Sequence, residues 1–274
     1  MLWPRSMGGK TSVPRGFPFI MICLRKERQH MNEVIKQLYE RKSVRAFTDR
    51  EITREDKRLI LEAASMAPSA GNQQLYTILH ITDQDLKDRL SETCDHQPFI
   101  AKAKMVLVFC ADFQKWYDAF ELAGCKPRKP EAGDLMLAVT DTAIAAQNAV
   151  TAAWSLGIGS CYIGDIMENC EIHRELFGLP PYVFPAVMAV FGYPTKQQEE
   201  RVKPRRVDLE HLVHENAYRR MDETELKGMF AEKGGNQTYD EWITAFCKRK
   251  YNSDFSREMS RSVAEYMKNF VKEE

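Results

Sequence analysis

Residues 134–156 constrain the fold of this chain more than any other segment. Read at helical periodicity, they carry Ala, Leu, Val and Trp154 on almost every face. A helix of this kind is stable when neighbouring elements cover most of its surface, so it has to lie inside the protein. The chain has 274 residues, 44% of them hydrophobic, which is enough to build the surrounding core.

Four short apolar runs predict strands around this helix. Residues 105–110 and 186–191 are continuous apolar runs, typical of strands buried on both faces, whereas residues 77–82 alternate between apolar and polar. A fourth run, 160–163, follows two closely spaced glycines that end the long helix. Because strands and helices alternate along the chain, we expect a three-layer architecture with a central sheet between helices.

Further helices are predicted before and after these runs. An apolar stripe over residues 34–39 indicates a first helix that ends near Arg41. Thr53 and Asp56 have the spacing of a capping box that begins a second helix, and Pro68 stops it. After residue 204 the composition becomes polar and helical. Helical runs are expected at residues 226–230, 242–247 and 263–270.

The bulk composition argues against nucleic acid or a membrane as partner and against an oxidising compartment. Lys plus Arg and Asp plus Glu both number 39, so the whole molecule has no long-range attraction to nucleic acid or to an anionic membrane. No apolar run reaches the length that spans a bilayer. The seven cysteines form no CxxC pair and no zinc-ligand array, and the odd count suits a reducing compartment. We therefore expect a cytoplasmic protein with free thiols.

Residues 1–30 differ from the rest of the chain. They carry three prolines and several basic residues around a short apolar stretch, which resembles a signal peptide. Pro18 interrupts the stretch, a charged run follows it, and no small-residue cleavage site is present. The alternatives are an extension upstream of Met31 that lies outside the fold, or an arm that packs on a partner subunit. We interpret residues 1–30 as an N-terminal extension and residues 31–274 as the folded domain, with a core at 31–205 and a helical segment at 206–274.

The densest cluster of basic residues lies where the first helix ends. Arg41, Ser43 and Arg45 point the same way if the backbone is extended, and the two arginines still share a face if it is helical. Two neighbouring guanidinium groups are suited to a phosphate. The alternative is a helix C-terminus whose cations complement the helix dipole. A second basic pair, Lys203 and Arg205, is by itself typical of a solvent-facing segment.

Two other segments offer polar groups to a ligand. The loop 68–74 supplies hydroxyl and amide groups that suit the edge of a flat heterocycle, although a simple helix stop explains its composition equally well. The glycine-rich run 157–164 follows a helix and opens a strand, which is the reverse of the order in a dinucleotide-binding fold, so we reject a Rossmann site. The scattered histidines form no metal or catalytic motif.

Taken together, these segments resemble the FMN-dependent nitroreductase family, in particular its larger NADPH-dependent nitro and flavin reductases. The resemblance rests on the order and spacing of several landmarks. They are residues 41–47, 67–74, 109–113, 141–142, 146–149, 157–165, 203–205 and 214–216. Asp165 stands where a small residue is often found beside the flavin, and residues 234–237 lack the arginine-rich run that resembles NADPH recognition in this branch.

The resemblance implies a site map for FMN. Arg41, Lys42, Ser43 and Arg45 would bind its phosphate, ribityl chain and pyrimidine edge, and Lys203 with Arg205 would supply the matching phosphate ligands. The remaining residues would lie along or beside the flavin ring. They are Ser69, Gln74, Gln97, Tyr162, Ile163 and Gly164.

The resemblance also implies the fold, the assembly and the reaction. The fold would be α+β, a three-layer sandwich with a mostly antiparallel sheet, in an intertwined homodimer with FMN sites at the interface. A hydride would pass from NADPH or NADH through flavin N5 to a nitroaromatic, flavin or quinone-like acceptor by a ping-pong mechanism, so the protein itself would supply no catalytic residue. The alternatives are a non-catalytic flavin store or redox sensor, and a cofactor-free module whose basic segment grips an acidic partner.

Overall fold

The computed structural model describes residues 32–271. The described chain divides into two units, one ending at Glu40 and the other beginning at Arg41. The first unit contributes α1 (Glu33–Glu40), where the Asn32 side chain accepts a hydrogen bond from the Ile35 backbone N–H at 3.0 Å and so caps the helix. The interpretations of residues 1–30 as an extension, a signal peptide or an arm lie outside the described residues.

A four-stranded antiparallel sheet forms the centre of the second unit. The strands are β1 (Tyr76–Ile81), β2 (Met105–Asp112), β3 (Gly159–Ile163) and β4 (Val183–Gly192). Their order is β1-β2-β4-β3, and each pair of neighbours is antiparallel. All four predicted strands are confirmed. β2 is buried along its whole length, as its continuous apolar sequence predicts.

Helices surround the sheet. In chain order they are α2 (Arg54–Ser65), α3 (Gln84–Thr93), α4 (Gln114–Leu122), α5 (Ala132–Ser155), α6 (Cys170–Phe177), α7 (Lys196–Glu200), α8 (Glu223–Phe230), α9 (Tyr239–Lys250) and α10 (Asp254–Met267). Short 3-10 helices form at Ala70–Asn72, Gly164–Met167, Leu209–His211 and Lys268–Phe270. The predicted cap of α2 is confirmed, because the Asp56 N–H donates to Thr53 Oγ1 at 3.0 Å.

The alternating side chains of β2 belong to two different cores. Met105, Leu107 and Phe109 pack in one cluster with residues of α2 and α5. Val106 and Val108, which point to the opposite face of the sheet, pack in a second cluster that includes residues of α3. The sheet is therefore covered on both faces, and the predicted three-layer α+β fold is confirmed.

The polar tail predicted after residue 204 contains α8, α9 and α10. Its last part is anchored on the core, because the buried Tyr266 packs edge-on against Phe184 with ring centroids 5.0 Å apart. The buried Phe270 contributes to the same cluster. Within residues 32–271, no helix is both long and apolar enough to cross a membrane. The six cysteines of this part of the chain are free.

Candidate functional site

The basic segment 41–47 lies against β3. Ser43 forms a parallel bridge with Ser160, and the Val44 N–H donates to the Ser160 carbonyl at 2.9 Å. The approach is so close that a Cβ atom on Gly159 would lie 2.6 Å from Val44 Cγ2, which is well inside a van der Waals contact. Glycine at this position therefore brings the basic segment to the sheet.

Pairing with a strand makes the segment extended around Ser43, which is the first of the two conformations considered above. The buried Val44 points into the protein, so Ser43 and Arg45 on either side of it point the other way. Burial raises the pKa of the Cys161 thiol, and the nearby charge of Arg45, followed by that of Arg41, opposes this shift. Both arginines therefore lie next to β3.

Arg41 is the most unusual of these cations. Its guanidinium group lies over the Tyr162 ring, 5.5 Å from the centroid, and its Nε and Nη2 atoms are buried without a hydrogen-bond partner among the described residues. Burial lowers the pKa of Arg41, and the charge of Arg206 lowers it further. An arginine stays protonated in proteins, so this group is a cation whose buried donors have no acidic partner within residues 32–271.

Basic residues from the later segment reach the same place. Burial lowers the pKa of Lys203, and the charges of Arg206 and Arg41 add to the shift, so the three cations lie close together although Arg41 is more than 160 positions from the other two in the sequence. Like charges brought together in this way favour an anion between them. This arrangement of charges can bind an anion such as a phosphate group.

Arg205, the predicted phosphate ligand, has acidic partners in this structure. It forms ion pairs with Glu232 and with Asp208, the latter at 3.3 Å, and its side chain is largely exposed. Its neighbour Arg206 is the residue whose charge reaches Arg41 and Lys203. Sequence reasoning missed Arg206, and two adjacent arginines in a polar segment give no signal that separates them.

Lys42 is held by backbone carbonyl groups. Its Nζ atom donates to Glu199 O at 2.6 Å and to Arg201 O at 2.5 Å, which uses two of its three donors. In return, Arg201 donates to the Ser43 carbonyl and Gln198 accepts from the Arg45 N–H at 3.2 Å. These bonds fix the basic segment to the end of α7, so Lys42 positions its neighbours and keeps one donor for a ligand.

The loop that carries Ser69 and Gln74 is shaped by a buried acid. The Asp141 carboxylate, from α5, accepts hydrogen bonds from the Ala70 N–H at 3.0 Å and the Leu75 N–H at 3.3 Å. Ser69 Oγ accepts from the Gln74 N–H at 3.0 Å and closes the loop from within. A buried Asp inside an apolar helix is the sequence signal that would have indicated this role.

At the other end of β3, Tyr162, Ile163 and Gly164 lead out of the sheet. The Tyr162 hydroxyl donates to Gln147 Oε1 at 3.2 Å, and burial raises the pKa of Tyr162 to about 12. The Gln97 side chain reaches this end indirectly, because its Nε2 donates to Asp165 Oδ2 at 2.9 Å. The structure thus brings Gln97 to the end of the predicted flavin strip.

The predicted site residues fall into groups on one chain. Arg41, Ser43, Arg45, Lys203 and the 162–164 strip lie on or beside β3, whereas the 69–74 loop is held by Asp141 of α5. No group of three or more His, Cys, Asp or Glu in this part of the chain is arranged to hold a metal ion. The donor set suits an organic phosphate with a flat ring.

Comparison with known proteins agrees with this chemistry. The model of the nitroreductase family matches residues 38–193, which is more than half of the chain. The chain belongs to the nitroreductase family. A relative from Bacillus subtilis, FMN reductase [NAD(P)H], is 33% identical over 238 residues, covering 86% of this chain and 91% of the relative.

Other members of the family extend the similarity to a nitroreductase and to a solved structure. The oxygen-insensitive NADPH nitroreductase of Salmonella typhimurium is 36% identical over 220 residues, covering 77% of this chain and 88% of that protein. The structure of NfrA2 from B. megaterium superposes with a TM-score of 0.75 at 28% identity, covering 89% of this chain and all of that chain. The family assignment made from the sequence is confirmed.

Proposed function

We propose that this protein is an FMN-dependent oxidoreductase that uses NADPH or NADH to reduce nitroaromatic, flavin or quinone-like acceptors. The observation that carries the proposal is the Arg41 guanidinium group, whose buried Nε and Nη2 atoms have no hydrogen-bond partner within residues 32–271 and lie near Lys203 and Arg206. The relatives named FMN reductase and NADPH nitroreductase support the same cofactor, donor and class of acceptor.

The residues present fit FMN. Arg41 and Arg45, with Lys203 and Arg206, would hold its phosphate by charge-assisted bonds, and Ser43 would add a hydroxyl. The predicted contribution of Arg205 requires that its side chain leave Glu232 and Asp208. Lys42 would use its remaining donor near the pyrimidine edge of the ring, where a cation stabilises negative charge.

When bound, FMN supplies the redox chemistry by taking a hydride from the nicotinamide and passing it to the acceptor in a ping-pong sequence. The protein holds the ring in place and controls its electrostatic surroundings. Tyr162, Ile163 and Gly164 would pack beside the ring, and the loop with Ser69 and Gln74 would lie along it. Gln97 would act through Asp165, to which it donates a hydrogen bond.

We also propose that two chains form an intertwined homodimer and that each FMN site uses both. The long helix α5 supports this arrangement, because it leaves the apolar side chains of Met136 and Leu137 63% and 42% exposed. Analytical ultracentrifugation of the holoprotein would show a dimer, and a monomer with full FMN content would overturn this assembly.

The free cysteines of the described chain support a reducing compartment, and we propose that the protein acts in the cytoplasm. The acceptor would be a small molecule, with no role for nucleic acid or a membrane. Fractionation of cells that produce the protein would test this location.

Turnover separates the proposed enzyme from the flavin-storage alternative, which the relatives do not support. The purified protein is expected to be yellow and to oxidise NADPH or NADH steadily when a nitrofuran or a quinone is added. A yellow protein without turnover on any of these acceptors would favour the store or sensor. A colourless protein that gains no flavin absorbance with added FMN would overturn both flavin readings and favour the interaction module.

A further inference from the structure

The end of β3 opposite the basic segment carries two acids that the proposed function leaves unused. After Ile163 the chain turns through the 3-10 helix Gly164–Met167, and Glu168 follows with 5% of its surface exposed. Its backbone N–H donates to the Asp165 carbonyl at 3.0 Å, so the turn places the two acids next to each other, and their carboxyl groups interact. Glu168 Oε1 is buried and has no hydrogen-bond donor among the described residues.

Two ionised carboxylates cannot hydrogen-bond to each other, because both are acceptors. One proton between them changes this, since the protonated carboxyl group then donates to the other. A proton on Glu168 also neutralises a buried carboxyl group that lacks a donor, and burial without a partner disfavours the charged form. The geometry of the pair therefore requires one proton rather than none.

The charged groups that face Glu168 do not remove this requirement. Asp95, from the turn after α3, and Glu258, from α10, are both acidic and add to the raised pKa of Glu168. Arg261 is engaged by Glu258 and by Glu171, each at 2.8 Å. In α6, burial lowers the pKa of His173, so this ring is neutral at pH 7.

The raised pKa of Glu168 has the same origin. Burial is its largest cause, the charge of Asp165 follows, and together with the neighbouring acids they raise the pKa of Glu168 to about 8. No salt bridge within residues 32–271 involves Asp165 or Glu168. A proton is therefore held on the pair at neutral pH.

Asp165 connects this pair to the proposed flavin strip. It follows Gly164 directly, and Gln97 donates to its Oδ2 atom at 2.9 Å while also donating to the Cys94 carbonyl at 2.9 Å. Asn169, which follows Glu168, also contacts α3, because its Nδ2 donates to the carbonyl of Thr93 at 2.8 Å. The Asp165 side chain thus interacts with both Gln97 and Glu168.

We propose that Glu168 is a positioning residue for the flavin site: it carries a proton at neutral pH, donates it in a hydrogen bond to Asp165 and, with Gln97, fixes the turn that follows Tyr162–Gly164. The link to the flavin rests on the proposed function, whereas the proton on the acid pair does not. When that proton is lost, the two carboxylates repel each other and the strip loses its support. FMN then binds less tightly.

The first test is the pH dependence of FMN binding to the apoprotein, followed by quenching of FMN fluorescence. From pH 7 to pH 9 the dissociation constant of the wild type should rise about tenfold. The form with a proton on Glu168 binds FMN more tightly, and with a pKa of about 8 the fraction of that form falls about tenfold over this range. Glu168→Gln keeps the donor and the shape of the side chain at every pH, so its dissociation constant should change by less than about twofold over the same range.

Asp95→Asn is the matched control. It removes an acidic charge that faces Glu168 but leaves the pair intact, and Asn tolerates the left-handed backbone at this position, where φ is 60°. This variant should keep the pH dependence of the wild type, with a midpoint at slightly lower pH. Asp165→Asn, in contrast, should abolish the dependence between pH 7 and pH 9, because Glu168 loses the nearest charge.

The second test detects the proton without FMN. The infrared spectrum of the apoprotein at pH 7 should contain a carboxylic acid C=O band that disappears in Glu168→Gln and, in the wild type, above pH 9. A missing band, or equal pH dependence of FMN binding in the wild type and Glu168→Gln, overturns the inference. A wild type that binds FMN with the same affinity at pH 7 and pH 9 overturns this inference alone, and one that binds no FMN overturns the proposed function with it.

Discussion

The two ends of β3 differ in the ionisable group that each one buries: a guanidinium group at the basic segment and a carboxyl group beyond the other end. In the basic segment, whose Ser43 pairs with Ser160 near the start of the strand, the buried Nε and Nη2 atoms of Arg41 have no hydrogen-bond partner among the described residues. Just beyond the end of the strand, Glu168 is a buried acid whose Oε1 atom has no hydrogen-bond partner in the same part of the chain. Arginine cannot release its proton in a protein, so the first end requires an external anion. A carboxylate can take up a proton, so Glu168 can become neutral and donate a hydrogen bond to Asp165 without a ligand.

This difference explains why the arginine end of the strand points to a bound ligand, whereas the acid end points to a residue that positions its neighbours. A site built from arginines keeps its charge across the physiological pH range and attracts phosphate at every pH in that range. A site built from two acids changes its charge when a single proton leaves. Variants that act on one end of β3 and leave the other unchanged therefore test the comparison.

The largest effect is expected at the basic end. Arg41→Ala should weaken FMN binding at least about tenfold, because a charge-assisted bond to the phosphate contributes about 1.5 to 3 kcal/mol. The purified variant should be largely colourless, as Arg45→Ala should be, and isothermal titration with FMN would measure the loss. Arg205→Ala is the control and should change the affinity much less, since its side chain is exposed and paired with acids. Equal losses in Arg41→Ala and Arg205→Ala would contradict the assignment.

A smaller effect should follow from moving the basic segment without changing its charge. In Gly159→Ala the new methyl group overlaps Val44, so the variant should lose about 2 kcal/mol of unfolding free energy and bind FMN less tightly. Gly133→Ala, where nothing lies within 4 Å of the added carbon, should be neutral or slightly stabilising. Urea denaturation of both variants measures the difference. If Gly159→Ala also removed the carboxylic acid band of the acid pair, the two ends would not be independent.

The smallest effect concerns the acid pair and the stability of the apoprotein. The pKa of Glu168 is about 8 in the folded state, against 4.5 as its ordinary value, so its contribution is fully present below pH 4.5 and is lost as the pH rises through 8. Between pH 6 and pH 7 the wild type should lose about 1 kcal/mol of unfolding free energy relative to Glu168→Gln. Urea denaturation at both pH values tests this. A constant difference between the two proteins would show that Glu168 does not titrate in this range.

The sequence predicts helices and strands well where apolar residues recur at the spacing of a buried helix or strand. β2 is apolar at every position and α5 on almost every face, so both were identified with small shifts at their ends. α3 and α6 were not predicted, because their sequences are mostly polar and each buries few side chains. A cap signal was nevertheless present for α3, since Asp83 accepts from the Leu86 N–H at 2.8 Å.

The site is less predictable, because its contacts join residues that are far apart in sequence. Arg205 and Arg206 are equivalent in composition, and pairing with Glu232 decides which of them stays near Arg41. The raised pKa of Glu168 depends on burial and on acids from other elements, such as Asp95, which no local motif encodes. The placement of FMN along the predicted residues stays a prediction.

The close packing of residues 43–47 also protects the sheet from unwanted association. β3 is one of the two edge strands of the sheet, and an edge strand offers free N–H and C=O groups on which another chain can pair and aggregate. Ser43 occupies one of these positions at Ser160, and Phe47 bridges to Pro194 where β4 has ended. The basic segment 41–47 thus also covers the β3 edge of the sheet. Truncation beyond residue 47 would uncover that edge as well as remove the arginines.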